Sequence, residues 1–241
     1  MSFIKKILQK EMFHPGLIAL VLNPFFHARW CLRGGIKKTA NHLTGSLLDV
    51  GCGSKPYRNY FSATKYTGLD TDNSGHQHHD EDIDVIYDGK IFPFGDKEFD
   101  SVLCNQVLEH VFEPALLLNE TNRVLKTGGK CLFTVPFVWD EHEQPYDYAR
   151  YSSFGLKYLF EQHGFKVVEQ YKLMTDFRVI IQLTNGYFYK LTRKIPVIKQ
   201  LTTLLIMFPM NLLGCLLTLL PDNKDLYLDN LIIVEKVNDR V

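Results

Sequence analysis

The chain has no excess charge of either sign. Its 27 Lys and Arg residues balance 27 Asp and Glu residues, so there is no net positive field to gather a polyanion, and nucleic acid is excluded as the expected partner. Cysteine is scarce. Cys31, Cys52, Cys104, Cys131 and Cys215 are an odd number, far apart and without a Cys-x-x-Cys pair, which argues against a disulfide framework and suits a reducing, cytoplasmic compartment. One glycine is also missing. The run Asp49-Val50-Gly51-Cys52-Gly53-Ser54-Lys55-Pro56 reads as a buried strand that ends in an acid and a glycine turn beside a ligand. A dinucleotide fold wants a third glycine three residues after the second, and Pro56 stands there.

What the turn lacks narrows the ligand. Asp49 sits one residue before the first glycine, where it would repel a pyrophosphate but attract an ammonium. Tyr66-Thr67-Gly68-Leu69-Asp70 supplies a second short strand ending in a carboxylate, at the interval of roughly 20 residues expected of a ribose-binding acid. S-adenosylmethionine has a ribose and an ammonium and carries no phosphate, so it is the expected cofactor.

The order of motifs is also specific. Phe92-Pro93-Phe94, then Phe99-Asp100-Ser101-Val102-Leu103-Cys104-Asn105, then Val107-Leu108-Glu109-His110-Val111, then Val124 through Phe133 with Gly128-Gly129 follow the glycine turn. Over residues 43–173 the chain resembles a class I S-adenosylmethionine-dependent methyltransferase of the type-11 kind. The resemblance implies a Rossmann-like, seven-stranded, mostly parallel sheet with helices on both faces and an antiparallel last strand. It also implies cofactor binding by Asp49, Gly51, Gly53 and Asp70, adenine recognition by Asp88, and Lys55 at the family's third glycine-like position. Asn105 and Gln106, just past the fourth strand, join the cofactor set, with Glu109 and His110 beside them.

Patterning gives the same α/β alternation. At 46% hydrophobic the chain can bury the core of one α/β domain. Strands are expected at 46–50, 65–70, 85–87, 101–105, 131–135, 166–173 and 231–236, several as continuous apolar runs. Helices are expected at 114–125, stopped by Gly128-Gly129, and at 153–163, capped by Ser152 and ended by Gly164. The expected organisation is an N-terminal helical segment (1–42), the methyltransferase core (43–175), an apolar helical insertion (176–225) and the final strand (226–241).

The acceptor side is expected from 136–151. Methyl transfer from a sulfonium is an in-line displacement, so a hydroxyl acceptor must be aligned and must lose its proton as the bond forms. His142 is the candidate base, with Glu143 and Asp147 (and Glu141) able to replace or tune it; a solvated loop pairing with Arg150 is the plainer alternative. Trp139, Tyr146, Tyr148 and Tyr151 offer flat faces for a sugar ring or another planar acceptor, and 143–151 resembles a segment of methyltransferases from surface-glycan gene clusters. The expected activity is O-methylation of a glycan or lipid-linked saccharide. Alternatives are a quinone or lipid head group as acceptor, or a non-catalytic nucleoside-binding partner subunit. No metal is expected, since His76, His78, His79, Asp80 and Asp82 crowd into one loop without ligand spacing.

Two apolar segments remain. Residues 17–22 follow basic Lys5, Lys6 and Lys10, but the run is short and leads into Asn23-Pro24-Phe25-Phe26 instead of a cleavage site. It is expected to form an amphipathic helix that covers the cofactor pocket or touches a membrane. Residues 201–220 contain no charge and are long enough to cross a bilayer, yet the last strand must rejoin the sheet, and Pro209, Asn211 and Gly214 interrupt the run. With Lys190, Arg193, Lys194 and Lys199 ahead of it, the insertion is expected to be an interfacial helical hairpin giving peripheral membrane contact, or else a homodimer interface or substrate lid.

Overall fold

The computed structural model describes residues 10–71 and 82–238. His76, His78, His79 and Asp80 of the rejected metal cluster, and the basic Lys5 and Lys6, lie outside the described residues. The chain divides into two compact units.

The larger unit comprises 36–137, 141–171 and 229–241 and is built on one seven-stranded sheet. Its strands are β1 (Thr44–Val50), β2 (Ser62–Thr71), β3 (Val85–Tyr87), β4 (Phe99–Asn105), β5 (Leu125–Pro136), β6 (Phe165–Leu173) and β7 (Asp229–Lys236), in the order β3-β2-β1-β4-β5-β7-β6. β1 pairs in parallel with β2 and β4, β2 with β3, and β4 with β5, while β7 runs antiparallel to β5. This is the expected Rossmann-like sheet with its reversed last strand. The order changes direction between β1 and β4, and the carboxyl ends of those strands flank the crevice where open α/β sheets bind ligands.

The inner strands are buried on both faces. Leu47, Leu48, Val102, Leu103, Leu132 and Phe133 are all buried, which is why they read as continuous apolar runs. Helices Pro114–Val124 and Ser153–Glu161 cover them through Leu117, Leu118, Leu156 and Phe160, and Phe160 packs edge-on to Phe133 with ring centroids 4.8 Å apart. Ser152 caps the second helix, its hydroxyl accepting the Gly155 amide at 3.2 Å.

Gly128-Gly129 does not stop the first helix, as the sequence had suggested. The helix ends at Val124 and β5 begins at once with buried Leu125, which pairs with Phe99 across an irregular register. The buried ammonium of Lys236, donating to the Asn122 and Leu125 carbonyls at 2.7 and 2.9 Å, satisfies the helix end, a favourable position for a cation. Gly129 is needed for close approach instead, because a Cβ there would lie 2.9 Å from the Asp100 carbonyl oxygen.

The second unit comprises 1–35, 138–140 and 172–228, so the N-terminal segment and the insertion, read separately from sequence, share one unit. Its described helices are Leu17–Leu22, the first part of Phe26–Thr39, Arg178–Thr192, Pro196–Thr202 and Phe208–Leu217. The expected interruptions at Pro209, Asn211 and Gly214 are absent. A π turn at Thr203–Met207 joins the last two helices, widening the ladder just before the proline that could not have continued it. Asn211 is buried as a polar hub, donating to the Leu20 and Asn23 carbonyls at 2.9 and 3.2 Å and accepting from Asn185 at 2.9 Å. Gly214 gives room to the His27 ring, which a Cβ would overlap.

Candidate active site

The turn after β1 has the backbone its glycines imply. Gly51 and Gly53 have φ of 66° and 46°, a region that only glycine enters freely. Space is limiting as well, since a Cβ on Gly51 would overlap the Val107 side chain just past β4. Residues 51–61, the link from β1 to β2, are carried by turns and the short 3-10 helix Arg58–Tyr60. Lys55 adopts φ 50° at the family's glycine-like position, and its buried side chain reaches Asp84 at 2.7 Å. Asp84 also accepts the Gly68 amide at 2.6 Å. Sequence reading missed Asp84, which precedes β3 without any motif of its own.

The two strand-end acids differ. Asp70 is held by the Gly53 amide at 2.8 Å on one oxygen and by the Thr71 amide at 2.8 Å on the other. Asp49 is buried and accepts the Tyr66 hydroxyl at 2.6 Å. Burial pushes its carboxyl up to about 7, with the Tyr66 hydrogen bond and Lys55 opposing and Asp70 adding to the rise. A buried acid whose charge is this costly to form is suited to an incoming cation.

Asn105 and Gln106 lie at the end of β4. Asn105 accepts the Thr134 hydroxyl at 2.8 Å, and Gln106, at φ 56°, donates to Thr134 and Asp229 at 3.3 and 3.2 Å. Both therefore tie the ends of β4, β5 and β7 together. Asp88 is exposed past β3, and one of its oxygens accepts the Lys90 and Ile91 amides at 2.9 and 3.2 Å, which holds its carboxyl below the usual range. The loop at Phe92 and Phe94 is fixed by Glu120, which accepts the Phe92 amide at 2.8 Å, and by Arg123, which donates to both phenylalanine carbonyls.

The acceptor-side residues meet just past β4. His142 Nε2 lies 3.1 Å from His110 Nε2, and His142 Nδ1 lies 3.2 Å from Asp147. Asp147 is buried and takes Arg150 bidentately at 2.6 and 2.7 Å, together with the His142 amide at 2.8 Å. Burial alone would raise Asp147, but these donors outweigh it and hold the carboxyl at about 2. Asp147 is placed to orient His142, and its pairing with Arg150 is partly buried. Glu143, at φ 52°, brings a carboxylate oxygen to 3.7 Å from His110 Nε2. Glu109 is fully buried, neither of its carboxyl oxygens has a hydrogen-bond partner, and burial drives it strongly toward the acid form. Tyr146 and Tyr148 are exposed, with Phe112 edge-on to Tyr148 at 5.3 Å. Phe112, which no sequence pattern singled out, extends this aromatic surface. Trp139 is not part of it, belonging to the other unit, where it packs on Phe25.

A sheet with its switch point between β1 and β4, a φ-positive glycine turn and acids ending β1 and β2 defines a nucleoside-binding Rossmann-like protein. Residues 48–133 match the model of a family described as a methyltransferase domain, and this segment is a class I S-adenosylmethionine-dependent methyltransferase domain. The cofactor is S-adenosylmethionine, and the donor set fits it. The positive-φ glycine turn, the buried acid Asp49 and the strand-end acid Asp70 suit a ligand with an ammonium and a ribose.

Among curated proteins, an uncharacterized protein of Methanocaldococcus jannaschii is 43% identical over 51 residues, 21% of this chain and 25% of that protein. The fatty-acid O-methyltransferase of Mycolicibacterium smegmatis is 34% identical over 99 residues, 36% of each chain. The chain thus spans about a quarter to a third of the length of these relatives. Among solved structures, the [4+2]-cyclase SpnF superposes with a TM-score of 0.55 at 18% identity, covering 88% of this chain and 82% of that one. Phosphoethanolamine N-methyltransferase 2 of Haemonchus contortus, in complex with S-adenosylmethionine, gives 0.53 at 20% identity, covering 99% and 60%. At such identities the likeness establishes the fold, and a cyclase among the neighbours illustrates that the fold alone does not fix the reaction.

Proposed function

We propose that this protein O-methylates a saccharide, either free or lipid-linked. The observation that carries this reading is the joining of His142, Asp147, His110 and Glu143 beyond the carboxyl end of β4, flanked by Phe112, Tyr146 and Tyr148. S-adenosylmethionine, when bound, supplies an electrophilic methyl group on a sulfonium. Asp49 would hold the ammonium of its amino-acid part, Asp70 the ribose, the Gly51–Gly53 turn the close backbone approach, and Asp88 the adenine; Asn105 and Gln106 brace the floor. The exposed aromatic faces would stack on a sugar ring and orient one hydroxyl. The histidine pair would take its proton, with Asp147 fixing the His142 ring. Incubation with methyl-labelled cofactor and extracted glycans or lipid-linked saccharides should transfer label, and His142→Ala should lower turnover while leaving cofactor affinity nearly intact. Label appearing in no saccharide fraction would overturn the assignment.

A second reading is favoured by two observations. The Mycolicibacterium relative is a fatty-acid O-methyltransferase, and Pro196–Leu217 is an apolar helix of 22 residues of which only 17% of the most apolar window is buried. An acceptor with an acyl chain would suit both. In either reading we propose that this helix rests on a lipid surface, with Lys190, Arg193, Lys194 and Lys199 at the headgroup level. A homodimer through the same face is the competing outcome.

A further inference from the structure

The contacts of His110 and His142 leave a chemical problem between them. His110 Nδ1 lies 2.7 Å from the Tyr146 carbonyl oxygen, which can only accept, so this nitrogen carries the proton. His142 Nδ1 faces the Asp147 carboxyl at 3.2 Å, closer than Arg150 Nη2 at 3.4 Å, and a proton on Nδ1 would serve that nearer contact. In the neutral rings both Nε2 atoms then present lone pairs to each other at 3.1 Å. A cation bound between them would satisfy both at once.

Carboxylates surround the same point. Glu109 and the two histidines place their ligand atoms within 4.8 Å of one another. Glu109 Oε1 lies 3.9 Å and Glu143 Oε2 3.7 Å from His110 Nε2. Glu109 is fully buried, and neither carboxyl oxygen finds a hydrogen-bond donor, a costly arrangement unless a cation compensates it. The outer contacts also match what metal-bound imidazoles use: one ring held by a backbone carbonyl and the other by a carboxylate, each through the nitrogen away from the metal.

We propose that Glu109, His110 and His142, with Glu143 as a fourth ligand, form a binding site for a divalent first-row transition-metal ion such as Zn2+. Two imidazoles with carboxylates favour these ions over Mg2+ and Ca2+, which prefer all-oxygen shells. With bonds of about 2.0–2.2 Å, tetrahedral ligand atoms lie roughly 3.3–3.6 Å apart, so the histidine nitrogens would open slightly from 3.1 Å and the carboxylate oxygens close slightly from 3.9 and 3.7 Å. The site binds metal whichever acceptor is methylated. An acceptor hydroxyl reaching the ion would lose its proton more readily, so the metal would take over the work assigned above to the free histidine pair.

The test uses tag-free full-length protein stripped with chelator and titrated calorimetrically with Zn2+, Co2+, Mg2+ and Ca2+. One equivalent of Zn2+ or Co2+ should bind, Co2+ should develop visible d–d absorption, and Zn2+ should raise the Tm. His110→Ala, His142→Ala and Glu109→Gln should each weaken Zn2+ at least tenfold, and Asp147→Asn, which only orients His142, about 10–100-fold. Retained S-adenosylhomocysteine binding would show that each variant is folded. Loss of metal binding in those folded variants supports the site. Absence of stoichiometric binding in the parent protein would mean that a shared proton joins the rings and would overturn the proposal. Binding that survives His110→Ala together with His142→Ala would overturn it too, placing the metal elsewhere, as on His76, His78 and His79. Cofactor binding is measured independently of the metal titration, so failure of the site leaves the methyltransferase reading standing.

Discussion

Asp49 makes the pH dependence of cofactor binding predictable. Its carboxyl rises from 3.8 to about 7 on burial, and at 1.36 kcal/mol per unit the cost of ionising it in the folded protein is about 4 kcal/mol, as an order of magnitude. The folded value lies above the unfolded one, so this cost is absent below about pH 4, grows between pH 4 and 7 and is constant above pH 7. In the free protein Asp49→Asn should therefore raise stability at pH 8 by up to a few kcal/mol and have little effect at pH 4. Cofactor binding carries the opposite demand, because only the carboxylate attracts an ammonium. Near pH 7 about half of the Asp49 groups are protonated, so binding should release about half a proton from this site. Below pH 7 affinity should fall about tenfold per unit. Calorimetry with S-adenosylhomocysteine between pH 5.5 and 7.5, in buffers of different ionisation enthalpy, reads both quantities. Flat affinity with no proton release, or an Asp49→Asn variant that keeps the slope, would refute the placement of Asp49 beside the ammonium.

Asp70→Ala should weaken cofactor binding by about 1.5–3 kcal/mol, the worth of a charge-assisted hydrogen bond; unchanged affinity by calorimetry would mean the ribose is held elsewhere. Gly51→Ala should destabilise the fold by roughly 1–3 kcal/mol in urea titrations through its positive φ and the overlap with Val107. Adding Val107→Ala should recover only the overlap part, leaving a measurable coupling between the two positions. Leu205→Glu with Leu216→Glu, both on exposed sites, should abolish flotation with anionic liposomes if the apolar helix rests on lipid; loss of dimerisation without any liposome effect would favour the subunit interface.

The sheet and the cofactor were legible in the chain's local patterns. Strand runs such as 101–105 and 131–135 are apolar because both faces of the sheet are covered, and the Asp49, Gly51, Gly53 and Asp70 pattern is local, set by a backbone that must turn tightly beside a ligand. Boundaries were less legible. Gly128-Gly129 looked like a helix stop, whereas the helix ends earlier, where Leu125 turns extended into β5, and the Lys236 ammonium more than a hundred residues away satisfies the end carbonyls. Pro209 and Asn211 looked like breaks, whereas a π turn and buried carbonyl partners absorb them. The meeting of the acceptor-side candidates is legible only in the folded chain. Glu109 and His110 follow β4, His142 and Asp147 follow β5, and nothing in their spacing states that two imidazole nitrogens meet at 3.1 Å over a buried carboxylate. Local backbone preference is written in neighbouring residues, whereas convergence of side chains from different strand ends depends on how parallel strands align in the sheet.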